Sequence, residues 1–367
     1  MDTKTVLFSG ETEWTCAGIP TVVRFIKGEE HKALAVFIPG VAHSARIAYG
    51  GHAGSREEDF LAYWLVKAGY DFLGVAYPLE CPTPMFSQLA PEMSIRDWGR
   101  QVACAARRVI DENGLRARVI PIGWSNGGKC VAAFNEAAAE YSLETDCYVT
   151  ISGTPASFAV DLEPNISTAP QLSASSMESY AHRLDYFHSL IVKNAADNGG
   201  HIAVPRDIYM NKYVGNMPAN IKSNGLRLEN RQFTPDPLGY VSDSGALELS
   251  KLPLIVSLIP SDASDNRHAL VDKATWGYYS VNKIFSLILN TLHYDVTKMP
   301  AADWERLKAL VNALPERLSR TIKGNHFSFV GEFGARRAAE LIDQLAAEVK
   351  AVKKELEGIL NVAEIRF

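Results

Sequence analysis

The feature that most constrains this chain is a short apolar run, residues 118–122, that passes without a linker into Gly123-Trp124-Ser125-Asn126-Gly127-Gly128 and then into residues 129–141, rich in Ala and other helix formers. A strand that becomes a helix within so few residues needs small side chains where the chain passes itself. A serine at the centre of Gly-x-Ser-x-Gly is held there in a strained backbone conformation at the strand's carboxyl end. Strand, tight turn and helix in that order form the repeating unit of parallel sheets, so the flanking sequence should alternate in the same way.

It does. Residues 33–38, Ala-Leu-Ala-Val-Phe-Ile ended by Pro39-Gly40, read as a buried strand. Residues 55–68 read as a helix with Phe60, Leu61, Trp64 and Leu65 on one face, and residues 72–76 as the next strand. Ser94 followed by Asp97 has the form of a capped helix start, and Ile95, Trp98, Val102, Ala105, Val109 and Ile110 keep helical spacing up to Asn113-Gly114. Residues 148–152 are a further strand. The fold class this predicts is α/β, with a mostly parallel, doubly wound sheet.

From about residue 154 to 249 the alternation fails. One helical segment carries Met177, Tyr180, Leu184, Phe187 and Ile191, and Pro-, Asn- and Gly-rich chain follows it. So long a break predicts an inserted cap, largely helical and irregular. Strand character returns at residues 252–259, followed by two helical stretches and a final amphipathic helix carrying Ala338, Leu341, Leu345, Val349, Val352 and Leu356. The expected organisation is a core in two parts, 1–153 and 251–367, with the cap at 154–250 and extra helices near 276–315.

With 367 residues and a formal charge of -5, the chain offers no bulk basic field, so neither nucleic acid nor a membrane surface is expected as partner. Its five cysteines are widely spaced without a Cys-x-x-Cys pair, and its histidines show no ligand spacing, so no metal or other cofactor is expected. Residues 1–8 show only a three-residue apolar run and no cleavage pattern, and no stretch approaches about 18 apolar residues. These features lead to the expectation of a cytoplasmic protein acting on a small molecule; a homodimer is compatible with them. The glycine-rich turn also nearly spells a phosphate loop, with Gly123, Gly128 and Lys129 in place but Cys130 where a magnesium-binding hydroxyl belongs. A nucleotide-binding protein is therefore the alternative from a different class.

A serine hydroxyl attacks a carbonyl at neutral pH only with a base in reach and an acid to orient that base. Ser125 on its turn, acidic residues after the strand at 252–259, and His326 in Gly324-Asn325-His326-Phe327 before the last helix follow one another in chain order. In this the chain resembles the α/β-hydrolase family, over most of residues 33–160 and 250–345. The resemblance implies Ser125 as nucleophile, His326 as base with His268 in reserve, and Asp262 as acid with Asp265 in reserve. It implies an oxyanion hole from the backbone N–H groups of Val41 and Asn126, with Ala42 in reserve; here Pro39-Gly40-Val41-Ala42-His43 departs from the family's frequent His-Gly. Trp124, Tyr180 and Phe187 are the candidate substrate-binding side chains. The implied activity is hydrolysis of an ester or lactone of a small to medium organic molecule through an acyl-enzyme, or else acyl transfer, carbon-carbon cleavage or lyase chemistry on the same triad.

Overall fold

The computed structural model describes residues 5–159, 161–222, 225–365 and 367, so the first four residues of the amino-terminal segment considered above lie outside the described residues. Eleven strands and ten helices are named here. The strands are β1 (Glu11–Cys16), β2 (Ile19–Ile26), β3 (Leu34–Ile38), β4 (Asp71–Ala76), β5 (Arg118–Trp124), β6 (Glu144–Thr145), β7 (Tyr148–Ile151), β8 (Leu226–Glu229), β9 (Gln232–Pro235), β10 (Ile255–Pro260) and β11 (Ser319–Ile322). The helices are α1 (Arg46–Tyr49), α2 (Leu61–Lys67), α3 (Ile95–Asn113), α4 (Val131–Glu140), α5 (Ala181–Asn194), α6 (Arg206–Lys212), α7 (Pro237–Ser244), α8 (Asn266–Ser286), α9 (Ala301–Arg317) and α10 (Glu332–Leu360).

The main sheet runs β1-β2-β4-β3-β5-β7-β10-β11, with β6 beside β5. β1 pairs antiparallel with β2 and β2 antiparallel with β4; every later pairing is parallel. All residues of β3, β4 and β10 are buried, as continuous apolar strands covered on both faces must be. Helix α3 packs on α4, and α2 packs on α10; β4 touches both α2 and α3. The Ser94–Asp97 capping box forms, and Gly114 closes α3 in the left-handed conformation.

Two sheet edges escape the sequence reading. β1 mixes exposed and buried positions, β2 is interrupted by Pro20, Thr21 and Arg24, and β11 is Ser-Arg-Thr-Ile, so neither edge carries the apolar run that betrays the central strands. The stretch between β7 and β10 is also more regular than expected: besides α5 it contains α6, α7 and the β8–β9 hairpin. Near 276–315, α8 starts earlier than foreseen, at Asn266 directly after β10.

Chain from the β7–β10 stretch crosses the carboxyl ends of the central strands. Ser44 N–H donates to Tyr213 O at 2.9 Å, Gly215 N–H to Ala42 O at 3.0 Å and Glu80 N–H to Asn216 O at 2.9 Å, joining it to the loops after β3 and β4. Tyr209, Tyr213, Val214 and Met217 are buried in the same apolar core as the sheet. Helix α7 packs on α3 and α4, and its Asp243 carboxylate accepts from the Ile95 and Arg96 amides at the start of α3.

Candidate active site

Ser125 stands directly after β5 with φ of +54°, a conformation that a non-glycine residue adopts only where the surroundings force it. Two glycines make this possible. A Cβ on Gly127 would lie 2.6 Å from the Ile38 carbonyl oxygen, and one on Gly40 would lie 2.7 Å from Ser125 Cβ. The loops after β3 and β5 can touch only without those side chains.

Trp124, expected at the substrate, is buried behind the site instead. Its Nε1–H donates to the His326 carbonyl at 2.9 Å and its ring packs against Phe327 and Phe329, because alternation along β5 turns residue 124 away from the face that Ser125 enters. It is a positioning residue for the His326 loop.

His326 Nδ1 lies 3.0 Å from Asp265 Oδ2. The favoured acid, Asp262, does not reach it. Asp262 is exposed, and its Oδ1 accepts from the Ser264 amide and hydroxyl, both at 2.7 Å, capping the 3₁₀ turn Ala263–Asp265. That turn reverses the chain so that Asp265, one turn on and buried, points back at the imidazole. The structure thus brings the reserve residue Asp265, and not Asp262, to His326.

Burial would lift the Asp265 carboxyl, but the hydrogen bond and charge of His326, with His268 nearby, hold it below the ordinary carboxylate value. Burial lowers His326, against the opposing pull of Asp265. An ionised carboxylate can only accept, so Nδ1 of the neutral ring carries the hydrogen and Nε2 presents its lone pair. Ser125 Oγ makes no hydrogen bond among the described residues; it shares one cavity with His326 and Asp265.

The loop after β3 is held at two successive peptides. Tyr77 Oη–H donates to Gly40 O at 2.6 Å, which fixes the Gly40–Val41 peptide, and Val41 lines the cavity. The next peptide is turned by His43, whose Nδ1–H donates to Val41 O at 2.6 Å while Nε2 accepts from Tyr209 Oη–H at 2.7 Å. Its N–H, on the reserve donor Ala42, is taken by Met217 Sδ at 3.2 Å. Val41 and Asn126 line the same cavity as Ser125. Burial pushes the His43 imidazole down to about 3, keeping it neutral.

Helix α5 spans the acid and base loops. Asn325 Nδ2–H donates to Leu190 O at 2.9 Å, Asn194 Nδ2–H donates to Phe327 O at 2.8 Å, and Tyr186 Oη–H donates to Ser264 O at 3.0 Å. Phe187 stacks on the His326 ring at 6.4 Å and 17°, and with Tyr180 lines the cavity, which has a volume of about 530 Å³. His268, held in reserve as a base, is bound by its own carboxylate, Asp272, at 3.0 Å, with its ring 5.4 Å from His326. Asp265, His268 and His326 offer atoms within 4.8 Å of one another, the one such group among the described residues that is spaced to hold a metal ion.

The near phosphate loop is closed: Ser125–Cys130 is a 3₁₀ turn buried throughout, and Lys129 Nζ donates to the Lys222 carbonyl. Tyr77, His43, Met217, Asn194 and Asn325 were missed by the sequence reading. Only Asn325, beside His326, had a signal in its favour.

The strand order, antiparallel at β1 and β2 and parallel thereafter, with a positive-φ serine between β5 and α4, defines the α/β-hydrolase fold. Solved structures that superpose on the chain include a thermophilic esterase from Thermogutta terrifontis, 11% identical over 92% of this chain and 98% of that one with a TM-score of 0.49. An esterase from Rhodococcus sp. ECU1013 is 15% identical over 93% and 99% with a TM-score of 0.49, and an alpha/beta hydrolase fold protein from Nakamurella multipartita is 15% identical over 91% and 99% with a TM-score of 0.40. No protein-family model matches the chain, and no curated protein matches it.

Proposed function

We propose that the chain is a serine hydrolase that cleaves an ester or lactone of a small to medium organic molecule, with Ser125 as nucleophile, His326 as base and Asp265 as the acid that orients it. The observation that carries this reading is the buried His326–Asp265 contact, its Nε2 lone pair left over, on a cavity shared with a serine held at positive φ.

Ser125 Oγ attacks the carbonyl carbon as its proton passes to His326 Nε2. The oxyanion lies between Val41 N–H and Asn126 N–H, amides already turned before the reaction and so needing no reorganisation. Collapse expels the alcohol, which takes the proton from His326 and leaves an acyl ester on Ser125. Water then attacks that ester, giving its proton to the same nitrogen; collapse breaks the Ser125 Oγ–acyl bond, the imidazolium returns its proton to Ser125 Oγ, and the carboxylic acid departs. Asp265 stays ionised and compensates the transient imidazolium. In apo sites the nucleophile-base contact is commonly loose and tightens with substrate, which accounts for a Ser125 Oγ without a partner.

The test is hydrolysis of p-nitrophenyl acetate and butyrate by the wild-type protein and by Ser125→Ala. Release of p-nitrophenolate by the wild type and its loss in the variant is the expected result; equal release by both would overturn the reading.

A further inference from the structure

The cavity beside Ser125 differs in charge from the rest of the molecule. Lys129, Arg183, Lys222 and Arg267 all line it, whereas the chain as a whole carries -5. Of the carboxylates nearby, Asp265 also lines the cavity but serves His326, and Glu178 pairs with Lys222 at 2.6 Å. Asp272, off the cavity wall and paired with His268, also acts on Arg267, so on the wall itself Arg183, Lys222 and Arg267 face the single carboxylate of Asp265, with Lys129 charged only in part near neutral pH.

The cations come from four separate segments, which is not the pattern of a solvated helix face. Lys129 is buried at the foot of α4, and burial, aided by the neighbouring charges of Lys222 and Arg267, pushes its ammonium down to about 7. Arg267 opens α8 two residues after Asp265, with Nη1–H 3.4 Å from Thr154 Oγ1. Arg183 stands on the first turn of α5, 5.2 Å over the Phe187 ring, and meets no carboxylate among the described residues. Like charges gathered around a concave wall repel one another, and a bound anion relieves that repulsion.

We propose that the substrate cleaved at Ser125 carries a separate anionic group, a carboxylate or phosphate, that docks among Arg183, Lys222, Arg267 and Lys129. This deepens the serine-hydrolase reading and rests on it for the scissile bond; the anion site itself does not. The guanidiniums of Arg183 and Arg267 supply forked donors suited to either oxyanion, and Lys129 and Lys222 supply point charges.

The experiment uses the full chain and has two arms. In the first, p-nitrophenolate release is compared for mono-p-nitrophenyl glutarate, its neutral methyl ester and a p-nitrophenyl butyrate bearing a terminal phosphate, with the wild type and with Arg183→Gln/Arg267→Gln. The expected result is a kcat/KM for at least one anionic ester about 10- to 100-fold above the neutral one, the size of one or two charged hydrogen bonds, and a collapse of that ratio in the variant. Which anion gains more identifies the headgroup. In the second arm, glutarate, inorganic phosphate and neutral glutaramide are titrated calorimetrically into both proteins. If no ester is cleaved but glutarate or phosphate binds the wild type and not the variant, the hydrolase reading fails while the anion site stands. Equal turnover of charged and neutral esters with no variant effect overturns the inference, as does the absence of anion binding alongside absent turnover.

Discussion

Asp262 and Asp265 stand three residues apart in one short turn, yet the structure gives them different work, and exchanging each for Asn separates the two. In Asp265→Asn the side-chain amide faces His326 Nδ1 at the 3.0 Å now occupied by a carboxylate oxygen. An amide nitrogen in that place donates to Nδ1 and forces the ring hydrogen onto Nε2, so the lone pair needed to take the Ser125 proton is lost; if the amide flips to accept, the imidazolium still lacks its counter-charge. The same substitution in a serine triad elsewhere lowers kcat by about 10,000-fold, and a loss of roughly 1,000- to 10,000-fold is expected here, about 4 to 5.5 kcal/mol of barrier. Asp262→Asn keeps an oxygen for the Ser264 amide, and Asn caps about as well as Asp, so kcat should stay within roughly twofold of wild type. The assay is p-nitrophenyl butyrate hydrolysis, with urea unfolding of each variant to show that both are folded. A large loss in Asp262→Asn beside a small one in Asp265→Asn would refute the reasoning.

Three further outcomes follow from the same geometry. In the proposed mechanism His326 acts as base only when neutral, and its pKa is lowered, so kcat/KM should be full above pH 6.5 and fall on acidification with a midpoint below 6.5; a midpoint above 6.5 would contradict the burial argument. As the pH falls through 6.5 the unfolded chain takes up a proton at residue 43 that the folded chain refuses until about 3, so His43 removes stability at about 1.4 kcal/mol per pH unit in that window. His43→Phe should be less stable at pH 7.5, because Val41 O and Tyr209 Oη lose their partner, but should lose about 2 kcal/mol less than wild type between pH 6.5 and 5; equal losses by urea unfolding would exclude the neutral buried imidazole. Prolonged dialysis against a chelator should leave ester hydrolysis within about twofold, since His326 and His268 already pair with Asp265 and Asp272; loss restored by zinc would point to the Asp265, His268 and His326 group as a metal site instead.

The parts of the site legible in the sequence are those that short-range sterics or chain order dictate. Glycines around Ser125 are required wherever a strand turns straight into a helix, and the buried strands β3, β4 and β10 announce themselves as unbroken apolar runs. His326 is marked by its place before the last helix. The choice between Asp262 and Asp265 was not legible, because both suit the turn and only its three-dimensional path decides which one caps amides and which one faces the ring. Tyr77, His43 and Met217 act through single hydrogen bonds on the loop after β3, from positions whose sequence context is only that of buried chain. The cations of the cavity lie between residues 129 and 267 and become one feature only when α4, α5, the turn near 222 and the start of α8 are brought together.

The most direct measurement is the site of covalent capture. Treatment of the full chain with a fluorophosphonate, followed by intact-mass determination and peptide mapping, should give one adduct per chain, located on Ser125, that is absent from Ser125→Ala and much slowed in Asp265→Asn. An adduct on another residue, or equal labelling of wild type and Ser125→Ala, would contradict the assignment of Ser125 as the activated nucleophile.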